Sequence, residues 1–155
     1  MATPEAKPAP GGEIDGAGLR VGVVSARWNS DICDALTAGA HRAIERCGAT
    51  ATSASAPGAF ELPFAARTLA LSGDVDAIVV IGCVIRGETT HYELVSEGCA
   101  QGVMQVQLST GIPIGMGIVT VENHEQAVAR SEGPGGHNVG EDAALAAIEM
   151  ALLAP

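Results

Sequence analysis

After Asp76, the stretch DAIVVIGCVI (76–85) carries no charge and no hydroxyl for nine consecutive residues. A strand with one wet face alternates polar and apolar residues. An unbroken run of this length reads as a strand buried on both faces, which is the condition of strands in a parallel sheet. LRVGVVSA (19–26) is a second such run, and IPIGMGIVTV (112–121) a third. ATSAS, following Gly48, is a weaker strand candidate. Helical patterns lie between them. Asn29 or Ser30 caps a helix whose apolar stripe is Ile32, Leu36, Ala40, Ile44 and Cys47, ended by Gly48. Leu62, Ala65, Ala66 and Leu69 mark a second helix with Pro63 in its first turn. Residues 91–109 form a third, with Leu94, Val95, Cys99, Val103 and Val106 inward. NHEQAVARS begins a fourth, EGPGGHN breaks it, and GEDAALAAIEMALL closes the chain with Ala144, Ala147, Ile148 and Ala151 on one face.

Strands alternating with helices predict an α/β chain: a three-layer α/β/α sandwich, flavodoxin-like, with a four-stranded, mainly parallel sheet flanked by helices. With 155 residues, 47% of them hydrophobic, the chain suffices for one core. The Pro-, Gly- and Ala-rich residues 1–17 are expected to be a flexible tail, and 18–155 a single domain. In such sheets ligands bind outside the carboxyl ends of the strands. Four segments fall there: RWN, PGAFE, RGETTH and ENHE.

The net charge of −10, with eight basic residues, argues against nucleic acid or an anionic membrane as partner. No apolar run approaches the roughly 20 residues of a membrane span. The N-terminus lacks the apolar core of a secretory signal, so a cytoplasmic location is expected, with Cys33, Cys47, Cys83 and Cys99 as reduced core thiols. The single lysine, Lys7, lies in the tail, which makes a lysine Schiff base a poor reading.

Each candidate site has two readings. In RGETTH, Thr89 and Thr90 offer hydroxyls and N–H groups at a helix N-terminus, a ready anion site, and His91 supplies an imidazole for proton transfer; the same six residues also read as a capping turn with a solvated histidine. In APGAFELP, Pro57 and Gly58 bend the chain. Phe60 and Glu61 then either present an aromatic and a carboxylate to a hydroxylated heterocycle, or serve as a core residue and a first-turn acid. Trp28 is either a stacking platform or a packing residue. Arg130 either clamps a phosphate or complements a helix dipole. His41, His124 and His137 have no metal-ligand spacing, and neither a P-loop nor a dinucleotide fingerprint is present.

Taken together, ARWN, LTAGA, PGAFELPFAA, DAIVVIGCVIRGETTHYELV, GIPIGMGIVTVENHEQAVAR and NVGEDAALAAIEMA resemble the 6,7-dimethyl-8-ribityllumazine synthase family over residues 19–152. The PGAFE and IRGxTxH pair at this separation is highly specific. The resemblance implies condensation of 5-amino-6-(D-ribitylamino)uracil with 3,4-dihydroxy-2-butanone 4-phosphate, without metal or organic cofactor. It implies His91 as general acid–base with Asp142 as its partner, Trp28 stacked on the pyrimidine, and Ala59, Phe60 and Glu61 on the ribityl chain and ring. It implies backbone contacts to the pyrimidine from Cys83, Val84 and Ile85, and a phosphate turn at Glu88 and Thr89. Met116 and Arg130 would come from a neighbouring subunit of a homo-oligomer, a pentamer, with a functional link to riboflavin synthase. Two departures stand out: Val139 occupies the place where many relatives carry lysine, in N-K-G, and EGPGGHN lacks a second lysine. Both weaken the positive field at the phosphate. Pro8 and Pro10 in the tail, and the length of EGPGGHN, lean towards a free pentamer rather than a cage. The alternatives are a flavin- or lumazine-binding relative without catalysis and a shell-forming one.

Overall fold

The computed structural model describes residues 14–153. Its centre is the apolar run: β3 (Ala77–Ile85) pairs in parallel with β1 (Arg20–Ala26) on one side and β4 (Ile114–Val121) on the other. β2 (Thr50–Ala56) completes the sheet beyond β1, so the order is β2-β1-β3-β4 with every pair parallel. The unbroken apolar sequence of β3 follows from this position. Ile78 and Val80 point into one core, with Val24, Leu62, Val103 and Ile118. Val79 and Ile81 point into the other, with Val21, Val23, Leu36, Ile44 and Ile148. Each such fully buried side chain is worth roughly 1.5–3 kcal/mol of burial. β2, at the edge, is exposed over most of its length, which explains why ATSAS gives so weak a strand signal.

The helices α1 (Ser30–Arg46) and α5 (Val139–Leu153) pack together on one face. On the other face lie α2 (Leu62–Ser72), preceded by a single 3₁₀ turn at Ala59–Glu61, and α3 (His91–Thr110). This is the expected three-layer arrangement. Gly48 ends α1 with φ 77°, a left-handed conformation that glycine adopts without steric cost.

Three local expectations change. The fourth helix, α4, spans only His124–Val128; the Arg130 and Ser131 N–H groups donate to Ala127 and Val128, tightening the chain into turns before EGPGGHN. Leu94 is 66% exposed rather than inward. Asn29 holds the N-cap position of α1, but its side chain makes no capping hydrogen bond.

Most of the expected tail lies outside the described residues. Residues 14–17 meet the body of the fold: the Gly16 N–H donates to the Cys47 carbonyl at 2.7 Å, and Ile14 packs against the α1/α5 core. No helix among the described residues is long and apolar enough to cross a membrane.

Candidate active site

The strand order reverses between β1 and β3, because the chain goes from β1 outward to β2 and returns through α2 to the far side of β1. The two loops that leave β1 and β3 therefore diverge and open a crevice at the carboxyl ends of the strands. A cleft of about 550 Å³ occupies that place. The register shows how it opens. β1 pairs with β3 only as far as Ser25 opposite Ile81, whereas β3 continues along β4 to Ile85 opposite Val121. The β1-facing edge of Cys83, Val84 and Ile85 is released from the ladder, and these three residues line the cleft. Backbone groups freed in this way need other partners, and a flat ring with its own donors and acceptors can supply them.

Two exposed aromatics border the opening: Trp28 is 73% and Phe60 63% exposed. Glycines set the position of both rings. A methyl group on Gly58 would stand 3.0 Å from Trp28 Cδ1, and one on Gly98 would stand 3.1 Å from Phe60 Cε2. The indole therefore lies against the PGAFE turn, and the phenyl ring against α3. The turn is closed by the Glu61 N–H donating to the Gly58 carbonyl at 3.2 Å. Ala59 and Glu61 line the cleft beside Phe60.

His91 is the first residue of α3 and lines the cleft from the β3 side. The turn before it is shaped by Arg86. Its backbone N–H donates to the Val121 carbonyl at 2.8 Å. Its guanidinium bonds Glu93 in the first turn of α3, reaches both Glu122 oxygens at 3.1 and 2.9 Å, and lies 4.3 Å from the centre of the Tyr92 ring. Glu93 and then Glu122 raise the Arg86 pKa further, and Arg86 holds the Glu93 carboxyl below its ordinary value. The arginine of RGETTH is thus spent on fixing where α3 starts. The N-cap residue Thr90 makes no side-chain capping bond, and it is Thr89 Oγ1 that accepts the His91 N–H at 3.3 Å. Glu88 and Thr89 are exposed at the tip of the turn and do not line the cleft.

ENHE, after β4, braces the site from outside. Glu122 holds Arg86, and His124 Nε2 lies 2.8 Å from Asp31 at the start of α1. That hydrogen bond lowers the Asp31 pKa. All four cysteines are buried. Burial pushes the thiols of Cys33 up to about 12 and of Cys83 and Cys99 up to about 11, so they are protonated and poor nucleophiles at neutral pH. No group of three or more His, Cys, Asp or Glu among the described residues could hold a metal ion.

Eight of the expected site residues meet in the cleft: Trp28, Ala59, Phe60, Glu61, Cys83, Val84, Ile85 and His91. Met116, Arg130 and Asp142 do not line it. Met116 lies on β4 opposite Val80 and is 46% exposed. Arg130 follows α4, exposed, with Nη1 donating to the Gln126 carbonyl at 2.9 Å. Asp142, in the first turn of α5, stands 3.9 Å from His137 Nδ1. Residue-by-residue reading of the sequence missed Asn29, Leu94 and Val95 as cleft residues. Leu94 and Val95 sit three and four positions after His91, so the helical period counted from His91 finds them. Asn29 belongs to RWN, a segment the topology places at the strand ends, but its side chain reads from the sequence only as a helix cap.

The model of the 6,7-dimethyl-8-ribityllumazine synthase family matches residues 18–154. A 6,7-dimethyl-8-ribityllumazine synthase of Kineococcus radiotolerans is 49% identical over 142 residues, covering 90% of this chain and 88% of that protein. One from Paraburkholderia phymatum is 44% identical over 144 residues, with 91% and 81% covered. One from Xanthomonas euvesicatoria pv. vesicatoria is 43% identical over 145 residues, with 92% and 94% covered. Similarity of this degree, along nearly the whole chain, makes the protein a member of the 6,7-dimethyl-8-ribityllumazine synthase family.

Proposed function

We propose that the protein condenses 5-amino-6-(D-ribitylamino)uracil with 3,4-dihydroxy-2-butanone 4-phosphate to 6,7-dimethyl-8-ribityllumazine. The observation that carries this reading is the released edge of Cys83–Ile85, set between the Trp28 indole and His91 in one cleft. The pyrimidine lies against that edge, stacked on Trp28, with its ribityl hydroxyls towards Ala59, Phe60 and Glu61. Its 5-amino group attacks the ketone carbon, and the carbinolamine loses water to give an imine joining the two substrates. Loss of a proton next to the imine expels phosphate by elimination. The enol left by this elimination tautomerises to a methyl ketone; the ribitylamino nitrogen attacks that new carbonyl, the ring closes and water leaves. Every step moves protons and none moves electrons to an acceptor. His91 is the group placed to shuttle those protons.

The cleft of one chain holds a carboxylate, Glu61, and an imidazole, but among the described residues no arginine or lysine lines it. A phosphate needs a cation. In the proposed assembly Arg130 of a neighbouring subunit supplies it beside the Glu88–Thr89 turn. Met116 closes the cleft from the same neighbour, and Asp142 partners His91. The exposed apolar surface of α2 and α3, with Phe64 and Leu108 each 75% exposed and Leu71 and Met104 beside them, supports association of this kind. The assembly is a pentamer in the cytoplasm, delivering its product to riboflavin synthase. Mixing the purified protein with both substrates and following lumazine absorbance tests the reaction. Product is expected with both substrates and none with either alone; no product with both contradicts the proposal.

A further inference from the structure

Asn29 has φ 57° and ψ 53°, and it is the one non-glycine with positive φ among the described residues. Asparagine enters this left-handed region more easily than other side chains with a Cβ, but a position that holds it there needs fixing from outside. At the N-cap of a helix the usual partner of an asparagine side chain is an N–H of the first turn. Here the amide turns away from the helix, and Nδ2 donates to the Cys83 carbonyl at 3.0 Å. The backbone carbonyl of Asn29 starts α1 alone, accepting from the Ile32 and Cys33 N–H groups at 3.0 Å each. The Cys33 thiol donates to the Trp28 carbonyl at 3.3 Å.

These contacts join both walls of the cleft. The left-handed turn reverses the chain immediately after Trp28. The amide then pins that reversal to β3 two residues past Ile81, where pairing with β1 stops. The Cys83 carbonyl is also occupied, and Val84, like Ile78 and Arg86, turns its backbone groups towards β4, which leaves the open groups of the released edge to Ile85. We infer that Asn29 is a positioning residue that fixes the Trp28 indole relative to the backbone edge of β3, and so sets selectivity for the flat heterocycle over the phosphorylated substrate. The part concerning substrates rests on the function proposed above; the pinning of Trp28 does not.

Three variants separate the backbone from the amide. Asn29→Gly keeps the left-handed turn and loses the tie. Asn29→Asp tolerates the turn but replaces the donor with a carboxylate that the Cys83 carbonyl repels. Asn29→Ala loses the amide and disfavours the turn. The first readout needs no substrate, since Trp28 is the only tryptophan. Time-resolved anisotropy of the ligand-free protein should show wider indole motion in all three variants than in the wild type. The second readout is kinetic: KM for the pyrimidine should rise about tenfold in Asn29→Gly and Asn29→Asp, with KM for the butanone phosphate changed by less than about twofold. Unchanged indole motion in the Gly and Asp variants overturns the inference, whether or not the wild type makes lumazine. So does an equal rise in both KM values. A wild type that binds and converts neither substrate would sink the proposed function while leaving the anisotropy result to decide on Asn29.

Discussion

The Val139 N–H donates to the Arg130 carbonyl at 2.9 Å, and this bond closes the loop that contains EGPGGHN. Position 139 therefore stands beside the arginine proposed to hold the phosphate. Hydrogen bonds to charged groups are worth about 1.5–3 kcal/mol, so Arg130→Ala should raise KM for the butanone phosphate roughly tenfold to a hundredfold and leave the pyrimidine KM nearly unchanged. Val139→Lys should lower the phosphate KM in the wild type and partly rescue Arg130→Ala. Steady-state kinetics with each substrate varied in turn provide the check, and equal effects on both substrates would contradict a phosphate role.

His91 lines the cleft at the head of α3. His91→Ala should lower kcat by about 10²-fold, the low end of general acid–base assistance, because imine formation and phosphate loss proceed partly unaided. A variant with unchanged kcat across the pH range would remove His91 from the mechanism.

The contact of Trp28 with Gly58 gives a test of stacking. Trp28→Ala should weaken lumazine binding by about 1 kcal/mol beyond lost area. Gly58→Ala brings a methyl group to 3.0 Å from the indole and should displace the ring, weakening binding in the same direction. Saturation with lumazine should quench the tryptophan emission of the wild type. Emission that stays constant on saturation would show that the ring does not meet the ligand.

Much of this site was legible before the structure, for a physical reason. The run in β3 is apolar because both faces of the strand are buried, so it announces a central parallel strand; that fixes which ends of the elements face the ligand. RWN, PGAFE and RGETTH then fall at one end by topology alone. The contributions of side chains that reach across the fold were not legible. Nothing in RGETTH indicates that Arg86 is held by Glu93 and Glu122, because Glu122 lies 36 residues away in sequence. Nothing in ARWN shows that the Asn29 amide prefers the Cys83 carbonyl, 54 residues on, to the helix it precedes. The shortening of α4 was hidden because Ala129 and Arg130 are good helix formers, and the turns at Arg130 and Ser131 overrule them.

The Arg86–Glu93 pair predicts a pH dependence. Arg86 depresses the Glu93 pKa below its ordinary 4.5. A carboxyl group with a lowered folded-state pKa stabilises the fold above its unfolded value, and that stabilisation is lost as the pH falls through the folded value. The melting temperature of Glu93→Gln should therefore lie below that of the wild type at pH 7, and the gap should close on acidification below 4.5. A gap that is constant down to pH 3 would assign the effect to packing instead.

The central claim is that a cleft built by one chain is completed by Arg130 of the next. Lumazine formation by mixed rings tests it most directly. In the proposed assembly, chains carrying His91→Ala and chains carrying Arg130→Ala, co-expressed in equal amounts, would combine at random into rings with equivalent interfaces. About one quarter of the interfaces then join an intact His91 to an intact Arg130, so mixed rings should recover roughly a quarter of wild-type activity although each parent is impaired. If His91 and Arg130 served one site from the same chain, every site would carry a lesion, and activity equal to the average of the two parents would contradict the account.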